Sequence, residues 1–139
     1  MKRLIAISLC IAFGFVFSFP AAALSPSDQV ADHLLAASVP EEIAPNDPRL
    51  AQVKIQLGKA AKLTAEEPTA VAAACSRYAG HLHDSAHLSA TPLELLEALS
   101  RFGKAGKPMN DTLQDYATAR KATPMRSHAE ALAAMGKGQ

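Results

Sequence analysis

Residues Thr91–Phe102 read TPLELLEALSRF. Leu95, Leu96, Leu99 and Phe102 recur at three- and four-residue spacing, with Glu94, Glu97 and Arg101 on the other side. That is the period of an α-helix with one apolar stripe. Thr91-Pro92-Leu93-Glu94 supplies its start. The Thr91 hydroxyl can accept from the Glu94 N–H while the Glu94 carboxylate reaches back. Gly103 supplies its stop. The stretch predicts the core helix of a bundle.

The same grammar recurs outward along the chain. Proline stands at positions 26, 48, 68, 92 and 124, each before a helix-forming run. At the first helical position proline has no intrahelical N–H to lose. Ser25 and Asp47 add caps, and Ser127-His128-Ala129-Glu130 repeats the capping-box signature. Leu50, Val53, Leu57, Ala60 and Ala61 form one stripe, and Val71, Cys75, Tyr78 and Leu82 a second. Met109, Leu113, Tyr116 and Ala117 form a third, and a last short helix carries Leu132 and Met135 and is expected to stop at Gly136. No alternating β-branched run suggests a strand. The expected fold is all-α, a single small bundle of five to six short helices. The residues between the prolines do not repeat, which argues against a solenoid.

Residues 1–23 read as a secretory signal peptide. Lys2 and Arg3 precede LIAISLCIAFGFVFSF, Leu4–Phe19, and Pro20 ends the run. Ala21 and Ala23 are the small residues a signal peptidase requires, which places cleavage after Ala23. The run is too short for a preferred membrane span and ends without positive charge. Cys10 lacks the small preceding residue of a lipoprotein site. Residues 24–139 are expected to form one soluble periplasmic domain, exported through the Sec pathway, with no membrane span after cleavage.

Loss of the leader changes the composition. Four of the five Phe leave with it, and the charge becomes 12 Lys and Arg against 13 Asp and Glu. Residues 24–100 carry −5 and residues 101–139 carry +4. Basic residues never run longer than two and no aromatics interleave them, so nucleic-acid binding is not expected. Alanine dominates the remaining apolar positions. It lets helices approach closely but buries little area, so the bundle is expected to gain stability from a partner or from dimerisation.

One cysteine, Cys75, remains. An intramolecular disulfide, a CxxC redox pair and a CxxCH haem attachment are therefore excluded. Its place on the apolar stripe predicts a buried small hydrophobe. The rival reading is a disulfide between two copies, a homodimer through Cys75. Catalysis by Cys75 is not expected, because His81 and Arg77 lie off its face.

HLHDSAH, His81–His87, holds three of the five histidines. At about 100° per residue, His83 and His87 share a face away from the Cys75 stripe, and His81 lies elsewhere. The leading reading is a solvated helix face. The alternative is a metal site at His83 and His87, which two imidazoles can hold but which lacks the further ligands of a zinc centre. HDSAH also differs from the H-E-x-x-H zinc motif, with Asp84 in place of Glu, and only Glu94 or Glu97 in principle available as a third ligand. GKAGK lacks the spacing of a phosphate-binding loop. No catalytic constellation is assembled, and an enzyme is not expected.

CSRYAGHLHD, through Cys75, Tyr78, Gly80 and Asp84, resembles a helix of the small periplasmic immunity proteins that neutralise type VI secretion amidases. The resemblance covers ten residues, and the further cysteines those proteins pair are absent. It implies a binding role in the periplasm. The leading expectation is thus an exported helical protein acting by protein–protein binding, as an immunity, inhibitor, adaptor or chaperone-like factor. Its partner would be an envelope or secreted protein, and it needs no cofactor. A periplasmic metal-binding or metal-sensing protein is the alternative.

Overall fold

Proline opens four of the six helices described in a computed structural model, which covers residues 25–123 and 125–138. The elements are α1 (Pro26–Ala36), α2 (Pro48–Thr64), α3 (Pro68–Ala86), α4 (Pro92–Phe102), α5 (Met109–Ala122) and α6 (His128–Lys137). No strand occurs among these residues, and no helix there is long and apolar enough to cross a membrane. The expected signal peptide, residues 1–23, lies outside the described residues, as does Pro124.

The caps explain the boundaries. Ser25 Oγ accepts the Asp28 N–H at 3.2 Å, and the Asp47 carboxylate accepts the Arg49 N–H at 2.9 Å. At α4 both halves of the capping box form: Glu94 N to Thr91 Oγ1 at 3.2 Å, and Thr91 N to Glu94 Oε2 at 3.0 Å. At α6 one half forms. Ser127 Oγ accepts the Glu130 N–H at 3.2 Å, whereas Glu130 Oε2 is buried without a hydrogen-bond partner among the described residues. α3 and α5 start without a side-chain cap.

α4 is the central helix and touches each of the other five. Leu95, Leu96 and Leu99 are fully buried, and Ala98 and Ser100 are buried beside them. Each such leucine contributes about 1.5–3 kcal/mol by leaving water. Around it pack Leu34 and Leu35 of α1, Val53 and Leu57 of α2, and Val71, Cys75 and Leu82 of α3. Leu113 and Tyr116 of α5 and Ala131 and Leu132 of α6 close the far side. Glycine is required where α4 ends. A Cβ on Gly103 would lie 2.6 Å from Leu99 O and 2.9 Å from Thr64 Cγ2, because α2 and the end of α4 nearly touch. Ser38 ties the other end of α4 to α1: its Oγ donates to Leu34 O at 2.8 Å and accepts the Leu93 N–H at 3.1 Å.

α4 departs from the one-striped helix of the sequence in one respect. Glu94 and Glu97 do not face open water; they are half-buried, because α5 and α6 lie over them.

Candidate functional site

The histidine stretch divides at a helix end. His81 and His83 lie on α3, but the helix stops at Ala86 and His87 takes a left-handed conformation, φ 47°. The turn has a physical cause. It returns Leu88 to the core, where it is 4% exposed, and the Leu88 N–H reaches Leu82 O at 3.1 Å. His83 and His87 are both exposed, yet they are not neighbours on a continuing helix. His81 pairs with Ser85 and lies against the Tyr78 ring, 5.6 Å between centroids. Among the described residues no group of three His, Cys, Asp or Glu side chains is placed to hold a metal ion.

The fifth histidine sits in the densest polar network. Arg120 on α5, buried at 9% exposure, donates to Tyr116 Oη at 2.6 Å, Glu94 Oε2 at 3.1 Å and the Ser89 carbonyl at 3.2 Å. Its Nε donates to the Arg126 carbonyl. Tyr116 Oη lies 2.9 Å from His128 Nδ1, and His128 Nε2 lies 2.8 Å from Glu97 Oε2. Arg101 completes the chain at 2.5 Å from Glu97 Oε1. The tautomer follows from bookkeeping. Tyr116 Oη accepts from Arg120, so its proton goes to His128 Nδ1, and Nε2–H donates to Glu97.

These contacts also shift the ionisable groups. Burial pushes the Glu97 carboxyl up, but the His128 hydrogen bond and the Arg101 charge outweigh it and hold the group below its ordinary range. Burial raises the Tyr116 phenol above its usual value against the Arg120 hydrogen bond. Burial opposes the Arg120 charge, and hydrogen bonds to Tyr116 and Glu94 reverse that effect.

Tyr, His and Glu in series resemble a proton relay, but each group is committed. His128 has both ring nitrogens engaged, and Tyr116 is fully buried. A general base needs a free lone pair within reach of a substrate proton, and a metal ligand needs the same lone pair. The network's evident work is to tie α4, α5 and α6 together. Sequence reasoning left His128 unassigned and put Glu94 and Glu97 on the wet face. One signal was available: Tyr116 and Arg120 stand four apart on α5, one turn from each other on a shared face.

Cys75 is fully buried and free. Burial pushes its thiol up to about 12, far from a reactive thiolate. A bridge between two copies through Cys75 requires α3 to leave the core.

A concave surface with small apolar lining runs between α1 and α3. One cavity of about 590 Å³ is lined by Val30 and His33 of α1 and by Ala72, Ala73, Ser76 and Arg77 of α3. A second, of about 460 Å³, continues from it past Ala37, Ala79 and His83 toward Glu94. His33 and Ser76 line both, so the two form one groove. No protein-family model, no curated protein and no solved structure matches this chain.

Proposed function

We propose that the chain is an exported periplasmic protein that acts by binding another envelope or secreted protein, as an immunity, inhibitor, adaptor or chaperone-like factor, without catalysis of its own. The observation that carries this reading is the α1–α3 groove. Its floor is built of Ala72, Ala73, Ser76 and Ala79, small side chains that recur along one side of α3. Two packed helices with such a floor suit a third helix, whose backbone can approach closely and bury its apolar face. The occupant we assign is an amphipathic helix of the partner. Saturation of the Tyr116–His128–Glu97 network supports the same reading, since the most catalytic-looking group is fully used in structure.

Ala73 is exposed, so Ala73→Arg fills the groove without disturbing the core. In-cell cross-linking followed by purification should capture a partner with the native chain and lose it with Ala73→Arg. Equal capture by both, or a tightly folded monomer that captures nothing, contradicts the reading. Export has its own check: the chain recovered from the periplasm should begin at Leu24.

Metal binding in the periplasm is the second reading. It is favoured by the imidazoles of His33 and His83, which line one cavity and make no hydrogen bond among the described residues.

A further inference from the structure

We infer that His33 of α1 and His83 of α3, which line one cavity, form a two-imidazole site for a late first-row divalent cation, with Cu²⁺ preferred. The inference rests on the metal-binding reading; the site lies in the groove assigned to the partner helix, and its test is separate from that of partner binding. It replaces the helix-end pair His83 and His87 with a pair that crosses the groove.

Three observations carry it. His33 stands in the last turn of α1 and His83 in the last turn of α3, and both line the cavity of about 460 Å³ between those helices. Both are exposed and neither imidazole is hydrogen-bonded among the described residues, so both keep lone pairs to offer. The other histidines lack one of these properties. His128 has both nitrogens engaged, His81 is paired with Ser85, and His87 sits on the left-handed turn that ends α3 and does not line the cavity.

Packed helices lie about 8–10 Å apart axis to axis, a gap that two imidazoles can span around an ion held at roughly 2.0–2.1 Å from each nitrogen. Ser76, Ser89 and Thr91 line the same cavity and can hydrogen-bond waters that complete the coordination. Glu94 lines it too, but its Oε2 is already taken by Thr91 N–H and Arg120. With two protein ligands the site is open and exchangeable, unlike structural zinc. Imidazole donors favour Cu²⁺ over Ni²⁺ and Zn²⁺.

The experiment is calorimetric titration of the purified, untagged chain with Cu²⁺, Ni²⁺ and Zn²⁺, alongside His33→Ala, His83→Ala and His87→Ala. All three positions are exposed, so the variants should keep the native far-UV circular dichroism. We expect one Cu²⁺ per chain. Binding should weaken about tenfold or more in His33→Ala and in His83→Ala, and change less than about twofold in His87→Ala. The Cu²⁺ electron paramagnetic resonance signal should show coupling to two imidazole nitrogens and lose one in either of the first two variants. Dependence on His87 with no dependence on His33 overturns the inference. So does the absence of any Cu²⁺ binding, or binding that no histidine variant changes. None of those results bears on the partner reading, which has its own variant at Ala73.

Discussion

His128 Nε2 lies 2.8 Å from Glu97 Oε2, and through that contact α6 is fastened to α4. On the other side of the ring, Tyr116 gives its proton to Nδ1 at 2.9 Å. One imidazole thus satisfies a buried phenol and a half-buried carboxylate at once. His128→Ala leaves the Tyr116 hydroxyl without its acceptor, and a buried polar group left unpaired costs about 1–3 kcal/mol. Urea unfolding should show a loss in that range. A change within about 0.3 kcal/mol would mean that the contact does not hold α6.

Arg120 is the more costly residue to remove. It bonds Glu94, Tyr116 and the carbonyls of Ser89 and Arg126, with its side chain 10% exposed. Taking one partner out of a buried charged network costs about 3–5 kcal/mol. Arg120→Ala should therefore fall at the low end of that range, because Glu94 keeps some contact with water. Unfolding of both variants, and of the double variant, should show non-additive losses, since Tyr116 links the two sites.

Acid should unfold the chain through its carboxylates. Glu97 titrates below its ordinary 4.5 in the folded state, so near pH 4 the unfolded chain binds more protons than the folded one. Its contribution is complete above about pH 4.5 and is lost as pH falls through the lower folded value. Asp28, Glu41 and Asp47 are likewise lowered, by Lys54 for the first and by Arg49 for the other two. Glu41 is exposed and adds little, while Asp28 and Asp47, with side chains 30% and 11% exposed, lose their pairs over the same acid range. Tm should drop below about pH 4.5, with a shallower drop in Glu97→Gln. An unchanged acid limb in that variant contradicts the role given to Glu97.

The helix ends offer changes of opposite sign. Ala65 ends α2 in a left-handed conformation, φ 57°, with the Glu66 N–H reaching Ala61 O at 3.1 Å. Glycine is free of the Cβ penalty there, so Ala65→Gly should stabilise by about 1 kcal/mol. Gly103→Ala should destabilise by about 1–3 kcal/mol, since its Cβ meets Leu99 O and Thr64 Cγ2. Thermal melts of the two variants should move in opposite directions.

Cys75 should be silent until the chain opens. With the thiol fully buried and pushed up to about 12, a maleimide or disulfide reagent should label it only at the rate of unfolding. Rapid labelling of the native chain, or a dimer that reductant splits without prior unfolding, would contradict its place in the core.

Much of this architecture is legible in the residues. TPLELLEALSRF carries its own cap, stripe and stop, and the proline at the head of each run marks where α1 to α4 begin. The stripes of α2, α3 and α5 point inward as their spacing requires. What the residues could not convey is which helix covers which. Glu94 and Glu97 read as a wet face because an isolated helix leaves them wet; α5 and α6 bury them. His83 and His87 read as a pair because spacing assumes a helix that continues, whereas Leu88's return to the core ends it at Ala86. His33 and His83 are fifty residues apart, and only the docking of α1 on α3 gives them one cavity.

The most direct measurement is cross-linking in the periplasm of cells making either the native chain or Ala73→Arg, read by mass spectrometry and mapped to residues. A partner cross-linked along α1 and α3 by the native chain, and lost with Ala73→Arg while His87→Ala retains it, is the expected result. A partner held equally by Ala73→Arg, or cross-links confined to α5 and α6, would contradict the groove as the binding surface.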